Sequence, residues 1–413
     1  MLLEFSLSNY RSIREEITFS TLAGKDTSHA DSIIEYDKYD VLKTSAIYGA
    51  NGTGKSNFIK GLGFVKSLVS NSINMQPGQL VAQNPFKLDG IDKESVFNVK
   101  FTKNSVLFVF QFSLKNKAVK DEYLFYYPNG RQTKIFERHE NSFVAGRSFR
   151  GKFDRCKDVI KPNRLMLSCA ANFSNVHEVE AVFLFFKDDL VIYNSGNQNN
   201  WLDYSLYTMS DNTDVKNSVI KFMQNIGIGI RNINIRIDKK RLNEDEIPHI
   251  FAPELQQKLL NDPVDKINAQ VVYDGFQTDL LSEESDGIRK LFAFICPFVD
   301  IIKNDKVLIC DEIEMGLHES LVSSLIKGFI NDESGSKAQL IFTTHDTSLL
   351  SMDIFRRDQI WFTELKKDRS TDMYSLAEIK NVRKDENFAK GYIAGKYGAI
   401  PMLNADFVSE FSE

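Results

Sequence analysis

The chain has 413 residues, of which 42% are hydrophobic and 26% charged, with 32 phenylalanines and only 9 prolines. This length and composition indicate a globular protein of two or three domains, and they favour large cores over a disordered or linker-rich chain. The formal net charge of −5 disfavours a non-specific nucleic-acid binder, which would usually be basic, although a local basic groove stays open.

Neither the first residues of the chain nor its cysteines indicate export. The first residues, Met1–Phe5, alternate in polarity, and no run reaches 18 apolar residues. The four cysteines form no C-x-x-C pair. We therefore expect no signal peptide, no membrane span and no disulfides, in a cytoplasmic protein.

Polarity patterns predict the elements in chain order. Residues 1–20 read as strand, turn and strand, followed by a strand over 41–48, a helix over 56–73, an antiparallel meander over 95–145, a mainly helical stretch over 165–265 and a short strand within 228–237. Buried strands follow at 307–310 and 338–344, then a hairpin over 358–364 and 372–379 and a helical tail. We divide the chain into residues 1–164, 165–265 and 266–413.

The most specific motif joins the strand at 41–48 to its helix. It fits G-x-x-x-x-G-K-S/T, the phosphate-binding P-loop, and reads Gly49-Ala50-Asn51-Gly52-Thr53-Gly54-Lys55-Ser56. The glycines allow a tight curl of backbone N–H groups, and the helix adds its positive dipole end. Lys55 can reach the β- and γ-phosphates of a nucleotide, and Ser56 can bind Mg²⁺.

The strand Val307–Cys310 ends in Asp311-Glu312, a Walker B pattern. By itself such a pattern is more typical of a strand end with solvated acids. With a P-loop upstream, Asp311 is a candidate Mg²⁺ ligand and Glu312 a candidate base that activates the attacking water.

Two further motifs are candidates for the same nucleotide-binding site. The strand Gln339–Thr344 ends in His345, which is either a structural histidine or a contact to the γ-phosphate. Ser285 and Gly287 precede a helix, where they form either an ordinary N-cap or a phosphate contact.

The P-loop, the Ser285–Gly287 motif, the Walker B pattern and His345 follow one another along the chain. These four motifs in this order resemble those of ATP-binding-cassette ATPases of the SMC-like branch. The resemblance implies an α/β fold, an ABC-type P-loop ATPase head with an N-terminal antiparallel β subdomain and a helical insertion. It implies ATP and Mg²⁺ as cofactors, with Mg²⁺ on Ser56 and Asp311, Glu312 as base and His345 as γ-phosphate sensor. The signature motif of one subunit, here Ser285 and Gly287, would complete the P-loop site of another, so ATP would join two heads.

The resemblance also implies a set of nucleotide-binding residues, namely Asn9, Arg11, Gly49, Asn51, Gly52, Thr53, Gly54, Lys55, Ser56, Asn57, Ser285 and Gly287. Gln83 or Asn84 is a candidate for the loop that senses Mg²⁺ and water.

A narrower resemblance is to the RloA/AbiLi group, which includes the AriA-type ATPases of PARIS phage-defence systems. It rests on four segments: Asn9–Ser12, Glu284–Gly287, Asp311–Glu314 with Leu317-His318, and Gly395–Pro401. The group commonly works with a separately encoded nuclease or toxin. The resemblance therefore implies a slow ATPase that forms a homo-oligomer and gates a Toprim-like effector nuclease in anti-phage defence, with a phage protein as a candidate trigger.

The sequence departs from these patterns at two places. Asp286 and Ile288 stand where transporters carry glycine and glutamine, which alters the signature. Glu319 follows His318 where relatives often have proline.

Three alternatives stay open. A DNA-handling repair head usually carries a long coiled coil, and the span between P-loop and signature shows no sustained heptads. A self-contained nuclease of the OLD type needs a Toprim domain, for which we expect too few residues after His345. A nucleotide-locked scaffold with little turnover is disfavoured by Glu312. We interpret the cluster Lys239-Lys240-Arg241 as a solvated turn rather than a nucleic-acid contact.

Overall fold

A computed structural model describes residues 1–240, 260–261, 263–314, 317–383 and 386–400. The chain forms two compact units. The first comprises described residues within Met1–Tyr193, Ile301–Glu314 and Val322–Glu413, and the second those within Asn194–Asp300 and Met315–Leu321.

Strands outnumber helices in the N-terminal part of the described chain, where five strands precede the first long helix and five more follow it. In chain order the strands are β1 (Leu2–Ser8), β2 (Ile17–Ser20), β3 (Ile33–Tyr36), β4 (Tyr39–Leu42), β5 (Thr44–Tyr48), β6 (Ser95–Lys103), β7 (Val106–Lys115), β8 (Ala118–Tyr126), β9 (Thr133–His139), β10 (Ser142–Ala145), β11 (Leu190–Tyr193), β12 (Asn232–Lys240), β13 (Val264–Val272), β14 (Gln277–Asp279), β15 (Val307–Cys310), β16 (Gln339–Thr343), β17 (Ile360–Leu365) and β18 (Thr371–Ser375). The helices are α1 (Lys55–Asn71), α2 (Met166–Phe173), α3 (His177–Leu184), α4 (Gln198–Asp211), α5 (Thr213–Asn225), α6 (Asp286–Lys303), α7 (Glu319–Ile330) and α8 (Phe388–Ile393).

The first unit contains a parallel sheet in the order β11-β15-β16-β5-β17, with β18 added antiparallel at the edge. Every residue of β5, β15 and β16 is buried, as expected for strands covered on both faces. Because parallel strands end at the same edge, the segments after β5, β15 and β16 come together there.

An antiparallel sheet in the order β10-β9-β8-β7-β6-β1-β2 occupies the N-terminal part of this unit. Its strands alternate in burial, so one face carries a phenylalanine-rich core. Helix α1 packs against this face, since Phe58 contacts Phe5 of β1 with ring centroids 5.3 Å apart. Phe19 of β2 in turn contacts Trp361 of β17 at 4.9 Å. The aromatic core thus fixes α1, and with it the preceding loop, relative to the parallel sheet.

The second unit contains α4, α5 and the antiparallel sheet β12-β13-β14. Trp201 of α4 stacks on Phe294 of α6 at 5.8 Å, and Ser205 donates a hydrogen bond to the carbonyl oxygen of Ala293. Within the described residues, none of the helices combines the length and apolarity needed to cross a membrane.

The structure confirms the predicted α/β class with an N-terminal antiparallel sheet, and also the predicted strand–loop–helix over 41–73, the meander and the hairpin near the end of the chain. The expectation of mainly helical structure in 165–265 was wrong for β11, which joins the parallel sheet beside β15. Four apolar residues cannot be assigned by periodicity alone. Most of 241–262, Arg241 included, and Pro401 lie outside the described residues. The compact units differ from the predicted three segments, whose functional division stays a prediction.

Candidate active site

The loop between β5 and α1 follows the tight path expected from its glycines. Gly54 stands immediately before the helix with a φ of 110°, and a Cβ atom built on it would lie 2.0 Å from Thr371 Oγ1. A Cβ atom on Gly49 would lie 2.5 Å from the carbonyl oxygen of Thr363. Side chains larger than glycine do not fit at either position, because β17 and β18 pack directly against the loop.

Hydroxyl groups hold this loop in place. Thr53 Oγ1 donates to the carbonyl oxygen of Ala50 at 2.8 Å and lies 2.8 Å from Thr363 Oγ1. Thr371 Oγ1 donates to the carbonyl oxygen of Thr53 at 2.8 Å. The side chain of Thr53 therefore stabilises the loop from within, while Asn51 and Gly52 are exposed at its tip.

Lys55 is the buried cation of the loop. Its Nζ donates to the carbonyl oxygens of Gly49 at 2.6 Å and Ala50 at 3.2 Å. Burial lowers the pKa of the Lys55 ammonium to about 8, and the carboxylates of Glu312 and Asp311 partly counteract this. A cation desolvated in this way gains strongly from an anionic partner.

Asp311, the predicted Walker B carboxylate, directly follows the last residue of β15. Its Oδ1 accepts hydrogen bonds from Ser56 Oγ at 3.1 Å and from Thr343 Oγ1 at 2.8 Å. The structure therefore brings together the first residues of α1 and the ends of β15 and β16. A serine hydroxyl and a carboxylate side by side are hard oxygen donors, which suit Mg²⁺.

Glu312 follows at a backbone position that few non-glycine residues adopt. Its φ is 54°, and its N–H donates to Thr343 Oγ1 at 2.7 Å. A left-handed conformation costs an L-residue about 1–2 kcal/mol, and such strain is concentrated at functional sites. The turn sends the chain across the end of β16, where Ile313 N–H donates to the carbonyl oxygen of Thr343 at 3.1 Å.

His345 lies just beyond the end of β16. Its main-chain N–H donates to Glu314 Oε1 at 2.6 Å, and its side chain is largely exposed. Partial burial and then the Lys55 charge lower the pKa of the imidazole, against the opposing effect of Glu314 and its neighbours. At neutral pH the ring is therefore mainly uncharged and can either donate or accept a hydrogen bond.

Of the two predicted nucleotide-binding residues near the N-terminus, Asn9 is buried and Arg11 is exposed. Asn9 is fully buried, and its amide donates to the carbonyl oxygen of Lys93 at 2.8 Å and accepts from Phe86 N–H at 2.9 Å. Arg11 is exposed and lines a cavity of about 800 Å³ together with Asn57. Both polar ends of the Asn9 side chain are thus used within the protein, whereas the exposed Arg11 side chain donates to Tyr10 Oη at 3.2 Å beside the cavity.

Gln83 and Asn84 lie in the loop that borders this cavity. Gln83 is buried, and its Oε1 accepts from Lys117 N–H at 2.8 Å. The carbonyl oxygen of Asn84 accepts from Arg11 N–H at 2.7 Å. The side chain of Gln83 is therefore turned into the loop.

Asn57 connects α1 to the N-terminal turn. Its Nδ2 donates to Ser12 Oγ at 2.8 Å, and Ser12 Oγ lies 2.7 Å from Thr371 Oγ1. The turn, α1 and β18 are thus joined by one chain of polar contacts beside the loop.

Ser285 and Gly287 lie in the second unit at the start of α6. Ser285 is exposed, and its Oγ accepts from Ile288 N–H at 3.3 Å, as an N-cap does. Asp286 pairs with Arg289 in the same turn. These contacts fit the cap interpretation and leave the proposed phosphate contact as a prediction.

The sequence analysis missed two residues that organise the site. Thr343 bridges Asp311 and Glu312, and Glu314 holds the main chain of His345. Thr343 carries a signal in retrospect, since a hydroxyl at the last position of a buried strand must find a polar partner. Glu314 ends the segment Asp311–Glu314, for which only the roles of Asp311 and Glu312 were predicted.

A family model and several solved structures match the chain. A family described as "AAA domain, putative AbiEii toxin, Type IV TA system" matches residues 45–351. No curated protein matches the sequence. Among solved structures, an SMC head bound to the C-terminal winged-helix domain of ScpA is 15% identical, covering 91% of this chain and 97% of its own, with a TM-score of 0.42. The SMC head domain from Thermotoga maritima is 14% identical, covering 91% and 98%, with a TM-score of 0.41. The ATP complex of the recombination mediator RecF is 15% identical, covering 91% and 99%, with a TM-score of 0.33.

Proposed function

The chain belongs to the AAA-domain family of putative AbiEii-type toxins, and we propose that it is an ATPase that uses Mg²⁺-ATP as a switch. The observation that carries the proposal is the convergence on Asp311 Oδ1 of hydrogen bonds from Ser56 and Thr343. It joins the start of the phosphate loop helix to the Walker B strand, which is the arrangement that nucleotide hydrolysis requires.

The residues present suit the nucleotide. The loop backbone between Gly49 and Gly54 and the desolvated Lys55 would bind the β- and γ-phosphates, with Asn57 and Arg11 near the rest of the nucleotide. Ser56 and Asp311 would hold Mg²⁺, which when bound neutralises charge on the phosphate oxygens.

Glu312 and His345 would act at the γ-phosphate. The Glu312 carboxylate would accept a proton from the attacking water as the oxygen–phosphorus bond forms and the bond to ADP breaks. His345 would hydrogen-bond the γ-phosphate. Because Glu312 sits on a strained turn held by Thr343, the main chain sets the direction in which its carboxylate leaves the turn.

We further propose that ATP assembles copies of the chain. The exposed Ser285 and the partly buried Gly287 of one copy would contact the phosphate bound by Lys55 of another, and hydrolysis would release the contact. In this proposal the homo-oligomer is cytoplasmic and gates a separately encoded, Toprim-like nuclease in anti-phage defence, with a phage protein as trigger. Turnover would be slow, as suits a switch.

The mass of the purified protein in solution tests this function. We expect Mg²⁺-ATP to raise the mass of the Glu312→Gln variant, and we expect the Lys55→Ala variant to keep its ATP-free mass. Ser285→Arg should bind ATP like the parent but fail to assemble, while Ser282→Arg serves as the matched exposed control. If the mass of the parent and of every variant is the same with and without Mg²⁺-ATP, assembly by ATP is refuted.

The effector is tested by what co-purifies with the trapped assembly. A nuclease that is captured with Glu312→Gln and released in Lys55→Ala supports gating. If instead duplex DNA accelerates turnover and no effector is captured, the chain is a DNA-handling ATPase head.

A further inference from the structure

The C-terminal segment, defined here as residues 386–400, has no place in the function proposed above, although its glycine-rich motif was singled out in the sequence. Several hydrogen bonds join residues within the segment. Glu386 accepts hydrogen bonds from Lys396 Nζ at 2.6 Å and from Tyr397 Oη at 2.6 Å. The Asn387 side chain caps α8 by accepting from Lys390 N–H at 2.8 Å. The segment is thus a compact, pre-organised piece.

Two tyrosines fix this segment on the parallel sheet. Tyr392 and Tyr397 are almost fully buried, and their rings stack on Phe362 of β17 with centroids 5.4 and 5.8 Å away. Tyr374 Oη of β18 donates to the carbonyl oxygen of Tyr397 at 2.7 Å. Burial of two aromatic rings together with this hydrogen bond gives a specific dock.

The end of the segment reaches the phosphate loop itself. The main-chain N–H of Ala50 donates to the carbonyl oxygen of Ala399 at 2.9 Å, and Tyr392 Oη donates to the same oxygen at 3.0 Å. The carbonyl oxygen of Ala50 in turn accepts from Lys55 Nζ at 3.2 Å and from Thr53 Oγ1. One residue of the loop, Ala50, therefore contacts the C-terminal segment through its N–H and Lys55 through its carbonyl oxygen.

The backbone of the segment is shaped for this contact. Gly398 and Ala399 both have positive φ values, 72° and 58°. A Cβ atom on Gly398 would lie 2.6 Å from both Glu364 Oε2 and Tyr374 Oη, which are themselves engaged in the dock. A left-handed alanine is costly and is kept only where its surroundings require it.

We infer that residues 386–400 are a positioning element for the phosphate loop, in which Tyr392 and Ala399 hold the Ala50 peptide in the nucleotide-binding conformation. This inference rests on the proposed binding of ATP. Docking of the segment strengthens ATP binding, and by thermodynamic reciprocity bound ATP holds the segment docked.

Affinity for Mg²⁺-ATP and amide hydrogen exchange test the inference on the full chain. Tyr392→Phe keeps the ring but removes the hydrogen bond to Ala399, and we expect it to raise the Kd for ATP about three- to tenfold. Gly398→Ala should raise the Kd further. The matched control, Tyr36→Phe on the β3–β4 hairpin, should leave it unchanged. ATP should slow amide exchange across 388–399 in the parent and not in Lys55→Ala.

Two results would overturn the inference while leaving the proposed function intact. One is a parent-like Kd in both Tyr392→Phe and Gly398→Ala. The other is a raised Kd without any effect of ATP on exchange in 388–399, since this indicates general damage rather than coupling. If the parent itself fails to bind ATP, the proposed function falls, and the inference falls with it.

Discussion

The main-chain N–H of His345 is hydrogen-bonded to Glu314 Oε1 at a distance of 2.6 Å. This contact joins the turn after β15 to the end of β16 beyond the Walker B residues. It places a carboxylate charge beside the proposed γ-phosphate sensor.

The first prediction concerns the charge state of His345. The Glu314 charge raises the pKa of His345, against burial and Lys55, so Glu314→Gln should lower that pKa further while its amide oxygen still accepts the main-chain N–H. Histidine NMR titration measures the change, with the exposed Glu333→Gln as control. A pKa that rises or stays constant in Glu314→Gln would contradict this electrostatic coupling.

The same shift carries a sign for stability. Because the pKa of His345 in the folded protein lies below its usual value of 6.5, the unfolded chain takes up more protons. The contribution of this group to stability is therefore lost progressively as the pH falls from 6.5 through the lowered value.

The second prediction concerns Thr343. Thr343→Val removes the hydroxyl that orients Asp311 and supports the Glu312 turn, so we expect the rate of ATP hydrolysis to fall about tenfold or more, with a smaller effect on Kd. Single-turnover phosphate release measures the rate. Thr344→Val is the control, because the Thr344 hydroxyl accepts a hydrogen bond from the N–H of Asp346 in the next turn. Equal losses in the two variants would argue against a specific role.

The third prediction distinguishes two of the three glycines of the loop, Gly52 and Gly54. Gly54→Ala should weaken ATP binding by about 2–3 kcal/mol, since it adds a clash with Thr371 to a positive φ. Gly52 also has a positive φ but open space around it, so Gly52→Ala should cost less. Calorimetry gives both affinities. Adding Thr371→Ala should restore part of the loss in Gly54→Ala, and no recovery would contradict the steric explanation.

The fourth prediction concerns stability rather than catalysis. Glu122 and Arg138 are fully buried 3.5 Å apart, and Glu122 also accepts from the N–H groups of Met166 and Leu167 at the start of α2. Glu122→Ala leaves a buried guanidinium without its counter-charge and should cost about 3–5 kcal/mol of unfolding free energy. Glu94→Ala breaks a half-exposed pair with Lys120 and should cost less than about 1 kcal/mol. Urea unfolding should show this difference, and equal losses would contradict it.

Much of the fold could be predicted from the sequence because local patterns specify it. The alternation in β6–β8 and the glycines before Lys55 are read from neighbouring residues alone, and the structure agrees with both. The pairing of β11 beside β15 could not be predicted, because four apolar residues acquire their partner only through long-range contacts.

The same limit applies to the candidate site. Lys55, Ser56 and Asp311 follow from motifs, whereas the bridge made by Thr343 depends on which strands are neighbours. The contact between Ala50 and Ala399 joins residues at opposite ends of the chain, and nothing in either local sequence predicts it.

The most direct test of the account compares ATP binding and phosphate release in the parent, Lys55→Ala and Glu312→Gln. We predict that the parent binds and hydrolyses ATP, that Lys55→Ala loses both, and that Glu312→Gln binds ATP with a nearly unchanged Kd but hydrolyses it at least about 100-fold more slowly. Hydrolysis by Glu312→Gln at the parent's rate, or a parent that neither binds nor hydrolyses ATP, would contradict the account.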